Sequence, residues 1–272
     1  MPTIGLFDSG LGGLSVLRAV RAWMPQANLL YFGDNAQVPY GARPLAQVRG
    51  FAHAITRFLR ARGAEIIVVA CNTASAAALQ SLRAADEFSG LPFVGMEPAV
   101  KPAAEATRTG VVGVLATPAT FQGELYASVV ERFAHGVRVV QQVCPGLVQQ
   151  IEAGQVDTPE TEAMLRGWVT PLLTQGIDVL VLGCTHYPFV IPLLEHICGP
   201  DVRVIDPAPA IARQAERMWG RLGGGGESGE RGNLAYYTSG SPAAFERALA
   251  QLGIEPGPVT GVTWRLGRIQ AL

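Results

Sequence analysis

A continuous apolar run that ends abruptly at a cysteine constrains this chain more than any other feature. Ile66-Ile67-Val68-Val69-Ala70 leads into Cys71-Asn72-Thr73, and helix formers follow from Ala74. A run without alternation is what a strand buried on both faces of a parallel sheet requires, and the polar residues mark its junction with a helix. Ligands of open α/β sheets bind at the carboxyl ends of strands, so Cys71 stands where chemistry is expected. The pattern returns at Val179-Leu180-Val181-Leu182-Gly183-Cys184-Thr185-His186. Two thiols at two similar strand ends point to two acid/base groups facing one small substrate.

The remaining periodicity agrees with an α/β chain. Strands are expected at Thr3–Phe7, Asn28–Phe32 and Pro92–Gly95 around the Cys71 strand, with helices to Trp23, over Leu45–Arg62 and over Ala74–Phe88. Near Glu97-Pro98 the series restarts. Strands at Val111–Leu115, Val137–Val143 and Val202–Ile205 surround the Cys184 strand, with helices to Ala134, over Leu147–Ala153 and Pro159–Gln175, and after Pro188. Asp206-Pro207 caps a helix to Arg221, and the glycine-rich Leu222–Gly232 reads as a flexible surface loop. A strand at Leu234–Thr238, a helix over Pro242–Leu252 and a short tail complete the chain. The expected architecture is a pseudo-twofold pair of α/β domains with mainly parallel sheets and a cleft between them.

Composition narrows the function. The 272 residues are 49% hydrophobic and 16% charged, enough for buried cores and too apolar for disorder. A net charge of −1 gives no broad field for nucleic acid or anionic lipid, and 7% aromatic content argues against base-stacking platforms. No apolar run is long enough to span a bilayer. Lys101, the sole lysine, sits in what reads as the first turns of a helix and is a poor Schiff-base candidate. The chain opens without a charged segment followed by an apolar one, so four reduced cysteines and a cytoplasmic setting are expected. Cys144 and Cys198 read as small core residues.

Other residues at expected strand ends are candidates for the site. Asp8-Ser9-Gly10-Leu11-Gly12-Gly13 matches neither GxxxxGK[ST] nor GxGxxG, so its glycines are expected to permit close backbone approach rather than to cradle phosphate. Asp8 and Ser9 then face the cleft, with a helix cap the plainer role for Asp8. Val38-Pro39-Tyr40-Gly41 is either a surface turn or a cleft loop offering the Tyr40 hydroxyl. Asn72, Thr73 and Thr185 can donate to a carboxylate, helped by backbone N–H groups at helix starts.

A cysteine near its ordinary pKa of ~8.5 is a usable acid or base at neutral pH. One thiol on each face of a carbon bearing hydrogen can remove a proton from one side while the other donates to the opposite side. This inverts a stereocentre. A zinc site would need further ligands at Cys-x-x-Cys spacing, which the sequence lacks, as would a redox pair. A single cysteine nucleophile assisted by His186 is the main chemical rival. A small-molecule binding module would share the shape without needing both thiols.

Taken together, Phe7-Asp8-Ser9-Gly10-Leu11-Gly12-Gly13, Val38-Pro39-Tyr40-Gly41, Cys71-Asn72-Thr73-Ala74-Ser75 and Gly183-Cys184-Thr185-His186-Tyr187-Pro188 resemble the glutamate racemase family. The four motifs stand in family order between Thr3 and about Pro209. His186 stands where aspartate racemases of the wider superfamily carry an acidic residue, which favours glutamate over aspartate as the alternative substrate. The resemblance implies interconversion of L- and D-glutamate without cofactor or metal, supplying D-glutamate for peptidoglycan. It makes Cys71 the base for the D-enantiomer and Cys184 the base for the L-enantiomer. Asp8, His186 and Glu152 assist the thiols, and Ser9, Tyr40, Gly41, Asn72, Thr73 and Thr185 contact substrate, as do Thr117 and Thr120. Plainer roles are a satisfied cleft histidine for His186, a solvated helix face for Glu152, and helix caps for Thr117 and Thr120. The expected domains are residues 1–97 with 207–272, and residues 98–206, with a homodimer among the oligomeric states allowed.

Overall fold

The computed structural model describes residues 1–225 and 229–271. Residues 226–228, inside the expected glycine-rich loop, and residue 272 lie outside the described residues. The chain opens with β1 (Thr3–Asp8), α1 (Leu14–Trp23), β2 (Asn28–Gly33), α2 (Leu45–Arg60), β3 (Ala64–Val69), α3 (Asn72–Ala84) and β4 (Phe93–Gly95). It continues with α4 (Val100–Ala106), β5 (Val111–Ala116), α5 (Pro118–Phe121), α6 (Glu124–Phe133), β6 (Arg138–Val143) and α7 (Leu147–Glu152). Next come α8 (Pro159–Thr174), β7 (Val179–Gly183), α9 (Ile191–Cys198) and β8 (Arg203–Ile205). The chain then runs through α10 (Ala208–Arg221), β9 (Leu234–Thr238), α11 (Pro242–Gln251), β10 (Val259–Arg265) and β11 (Arg268–Ala271).

These strands form two sheets. One has seven strands in the order β11-β10-β9-β2-β1-β3-β4, and the other four in the order β6-β5-β7-β8. All neighbouring strands run parallel except β10 and β11. Each sheet is the centre of one lobe, and each is covered by helices on both faces. Ile66, Val68 and Ala70 pack with α1 and α10, while Ile67 and Val69 pack with α2 and α3. That is why the run before Cys71 shows no polar alternation. In the smaller sheet Leu180 and Leu182 face α7, α8 and α9, whereas Val179 and Val181 face α4 and α6. Cys144 and Cys198 are buried with the former group.

The structure departs from the sequence expectations in three places. The helix expected from Ala74 starts at Asn72, and it ends at Ala84 before a 3₁₀ turn over Asp86–Phe88. Asn72 and Thr73 therefore lie in its first turn rather than in a loop. The helix expected up to Ala134 is broken into α5 and α6 at Gln122-Gly123, where Gly123 approaches Ala76 so closely that a Cβ would stand 2.7 Å from the Ala76 Cβ. The expected tail is the hairpin β10–β11, which extends the larger sheet. Its turn holds Leu266 at φ 48° and Gly267 at φ 72°. Tight hairpins demand positive φ at both central residues, and leucine gives no sign of it. Among the described residues no helix is long and apolar enough to cross a membrane.

The lobes meet through glycines. A Cβ on Gly10 would collide with the Glu152 carboxylate, and one on Gly12 would stand 2.6 Å from Thr185 Oγ1 and 2.7 Å from His186 Cε1. A Cβ on Gly41 would stand 2.8 Å from the Thr117 Cβ. In each case the glycine belongs to the larger-sheet lobe and the neighbour to the other. None of the three has positive φ, so the reason for glycine is space, not backbone freedom.

A Gly12→Ala variant should therefore fold, since each lobe keeps its own core, but should not bring its lobes together. The Leu11 amide, which donates to Glu152 in the closed form, is expected to exchange with solvent at least about tenfold faster than in the parent protein. Unchanged protection of Leu11 would count against this account of the glycine. The core thiols give a second expectation. Burial pushes the thiol of Cys144 up to about 12 and that of Cys198 up to about 11, both from 9.0. Above pH 9 the unfolded chain releases these protons while the folded chain keeps them, so stability falls as pH rises. Each thiol adds a slope of up to about 1.4 kcal/mol per pH unit. Chemical denaturation between pH 8 and 11 should show that slope, and Cys198→Ala should make it shallower.

Candidate active site

Cys71 stands one residue beyond the end of β3, after Ala70, and caps α3. Its backbone is extended, and its sulfur accepts from the Ala74 N–H at 3.4 Å. Cys184 directly follows β7, and the chain then turns through Thr185 and His186 into a 3₁₀ turn at Tyr187–Val190. Both thiols line one cavity between the lobes, together with Ser9, Pro39, Tyr40, Gly41, Asn72, Thr73, Thr117, Val148, Thr185 and His186. The cavity they leave is narrow, with a volume of about 20 Å³. The site is closed down tightly.

Behind the Cys184 wall lies a polar chain. His186 Nδ1 is 3.8 Å from Cys184 Sγ, and His186 Nε2 is 2.6 Å from Glu152 Oε1. Both imidazole nitrogens are thus occupied. Glu152 Oε1 also accepts from the Leu11 N–H at 2.6 Å, and Oε2 accepts from Asn35 Nδ2 at 3.1 Å. Burial opposes a charged His186, but its hydrogen bonds to Cys184 and Glu152 and their negative charge outweigh this and hold it well above the ordinary histidine range. The plainer reading of Glu152 as a solvated face does not hold. Gln149 is exposed, but Glu152 points inward at 15% side-chain exposure.

Behind the Cys71 wall stands Asp8, fully buried at the end of β1. Its Oδ1 accepts from the Gly10 N–H at 2.9 Å, and its Oδ2 accepts from Thr185 Oγ1 across the lobes, also at 2.9 Å. Burial pushes Asp8 up, while nearby His186 and these hydrogen bonds pull the other way without cancelling it. Cys71 is held well above the usual thiol range by burial first and by the charge of Asp8 second, although the Ala74 N–H opposes both. Cys71 is therefore a protonated thiol at neutral pH.

The other expected residues divide clearly. Asn72 is 3% exposed, and neither atom of its amide has a hydrogen-bond partner. A buried amide left unpaired costs about 1–3 kcal/mol, a cost that a polar ligand in the cavity would offset. Thr73 Oγ1 lies 3.1 Å from Thr117 Oγ1, so the two lobes also touch at this wall. Thr117 both lines the cavity and caps α5 by accepting from the Thr120 N–H. Thr120 sits behind it, 1% exposed, and does not reach the cavity. Tyr40 lines the cavity, but its hydroxyl donates to Asp34 Oδ2 at 2.6 Å and is not offered to a ligand. Sequence reasoning misses Pro39 and Val148. Val148 stands four residues before Glu152 in α7, a spacing that puts both on one face. Among the described residues no group of three or more His, Cys, Asp or Glu side chains is arranged to hold a metal ion.

Known proteins resemble this chain over most of its length. The family model for Asp/Glu/Hydantoin racemase matches residues 14–215. A glutamate racemase of Roseiflexus sp. (strain RS-1) is 57% identical over 79% of this chain and 78% of its own length. The crystal structure of glutamate racemase isoform RacE1 from Bacillus anthracis superposes with a TM-score of 0.87 at 30% identity, covering 98% of both chains. A glutamate racemase structure from Francisella tularensis in complex with D-glutamate superposes at 0.83 with 28% identity, covering 96% of this chain and 97% of the other. The chain therefore belongs to the Asp/Glu/hydantoin racemase family, among its glutamate racemases.

Proposed function

We propose that this protein interconverts L- and D-glutamate by proton transfer between Cys71, Cys184 and the substrate's α-carbon, without a cofactor. The observation that carries the reading is the pair of thiols on opposing lobes lining one cavity, beside an unpartnered Asn72 amide. D-Glutamate is the ligand of the Francisella relative, which supports glutamate as the substrate here.

In this reading the α-carboxylate takes hydrogen bonds from Asn72 and Thr73 and from the N–H groups at the start of α3, while Thr185 lines the cavity with its hydroxyl committed to Asp8. Such donors stabilise negative charge that spreads from the α-carbon when its proton leaves. Cys184 removes the α-proton of L-glutamate, and the C–H electron pair stays on carbon. Cys71, protonated beforehand, then gives its proton to the opposite face and becomes the thiolate. The product is D-glutamate, and reversal from that side returns both thiols to their first state. A charged His186 gives Cys184 a charge-assisted hydrogen bond, and burial, helped by the charge of Asp8, keeps Cys71 in its thiol form until the carbanion needs the proton. The tight walls exclude water from the carbanion, and admitting a five-carbon diacid requires the lobes to part. The lobes are residues 1–97 with 207–272, and residues 98–206. The D-glutamate formed would serve peptidoglycan synthesis in the cytoplasm.

The direct test follows the α-hydrogen. Enantiopure L- or D-glutamate in deuterium oxide should gain deuterium and lose optical purity, and glutamate should react faster than aspartate or other amino acids. A protein that binds glutamate without exchange would sink the proposal. Cys71→Ser and Cys184→Ser should each lower turnover by at least about a hundredfold while the circular dichroism spectrum stays unchanged. The His186–Glu152 pair gives a pH test. Because Glu152 helps His186 keep its proton, Glu152→Gln should move the basic limb of the kcat profile to lower pH. A limb that stays in place would remove Glu152 from this role.

A further inference from the structure

Asn35 lies just past β2, outside the cavity, yet it closes the polar chain behind Cys184. Its Nδ2 donates to Glu152 Oε2 at 3.1 Å, and its Oδ1 accepts from Thr238 Oγ1 at 2.9 Å. The orientation of the amide is dictated by its neighbours. The Gly240 N–H donates to Thr238 Oγ1 at 3.0 Å, so the threonine hydroxyl hydrogen is left to donate onward to Asn35 Oδ1. An ionised carboxylate can only accept, so the NH₂ end must face Glu152. Thr238 is fully buried at the end of β9, which gives the amide a rigid anchor in the larger-sheet lobe.

Glu152 belongs to the other lobe, so this contact exists only when the lobes are together. With Asn35 on Oε2, Oε1 is free to serve the Leu11 N–H and His186 Nε2. Without Asn35 the Oε2 oxygen loses its only hydrogen-bond partner among the described residues, so the carboxylate is held by Oε1 alone and can turn about it, and the 2.6 Å contact to His186 loses its fixed geometry. We propose that Asn35 is a positioning residue for the racemisation reaction: on lobe closure it orients Glu152, and through it His186, against Cys184. This role rests on the two-thiol reading above. The titratable groups facing the Glu152 carboxylate are His186 and, beyond it, Cys184 from the loop after β7, Asp8 at the end of β1 and Tyr31 on β2.

Two variants separate orientation from bulk. Asn35→Leu keeps the approximate volume and removes the donor; kcat should fall about tenfold with KM changed by less than about twofold. Asn35→Asp keeps the shape and sets two carboxylates against each other at neutral pH. When one of them is protonated it can donate to the other, so the lost activity should return as pH falls, relative to the parent enzyme. A residue that only supports the fold would show no such pH-dependent recovery. Parent-like kcat and pH profile in both variants would overturn the inference, as would an Asn35→Asp deficit that is constant with pH. If Asn35→Leu fails to fold, the Asn35→Asp profile still decides. The parent enzyme is assayed alongside for solvent deuterium exchange into glutamate. A parent without exchange defeats the two-thiol reading itself, while an active parent with unaffected variants defeats only the role of Asn35.

Discussion

The Glu152 carboxylate crosses from the smaller-sheet lobe and rests against the backbone of the loop that follows β1, taking the Leu11 N–H at 2.6 Å. It can come this close because Gly10 and Gly12 present no side chains where the carboxylate, Thr185 and His186 must sit. Everything else about the closed cleft depends on that approach. Thr185 reaches Asp8, Ser15 Oγ donates to the Thr185 carbonyl at 3.0 Å, and Thr73 meets Thr117. These short polar contacts stand beside apolar ones: Phe189 packs against the core of the larger-sheet lobe, and Val38 against the core of the other.

These contacts also solve an electrostatic difficulty. Asp8, Glu152 and His186 are ionisable groups at or near full burial, and isolated charges there would be costly. Asp8 and Glu152 are each given partners from the other lobe, Thr185 for Asp8 and Leu11 and Asn35 for Glu152, and Glu152 in turn pairs with His186 of its own lobe. The residues that hold the lobes together are the ones that keep the charges behind the two thiols tolerable. Closure and the electrical environment of the sulfurs therefore change together.

How much of this is legible in the sequence depends on how local the cause is. The β3 and β7 runs declare themselves because burial on both faces removes polar alternation, and that cause lies wholly within the strand. The glycine loop declares that something approaches closely, but not what. Glu152 reads as solvated beside Gln149 and Gln150, because its partners Leu11 and Asn35 lie 141 and 117 residues away. The Tyr40 hydroxyl reads as free for the same reason, since Asp34, its acceptor, is itself fixed by Ser239 and Trp264 near the chain's end. The β10–β11 hairpin hides behind a leucine at positive φ, where tertiary pairing overrides local preference. Local burial writes itself into the sequence; contacts between lobes do not.

The two cysteine units look like echoes, but the structure makes them unequal. Cys71 caps a helix, faces fully buried Asp8 and is driven by burial toward its neutral form. Cys184 is followed by a 3₁₀ turn, and its immediate neighbour is a histidine that Glu152 helps to keep charged. If both sulfurs had the same surroundings, the closed site would rest with two thiols or two thiolates, and neither can carry a proton across a carbon. A transfer of this kind needs one donor and one acceptor at the moment of closure. In the proposed reaction this inequality would serve that need: burial and then Asp8 keep a proton on Cys71, while Cys184 has the His186 imidazole beside it at 3.8 Å. Because a racemase must run from either enantiomer, the bias must also be shallow enough to reverse when the proton has crossed. In the proposed reaction that is served by giving each sulfur its own ionisable neighbour, Asp8 acting on Cys71 through its charge and His186 lying 3.8 Å from Cys184.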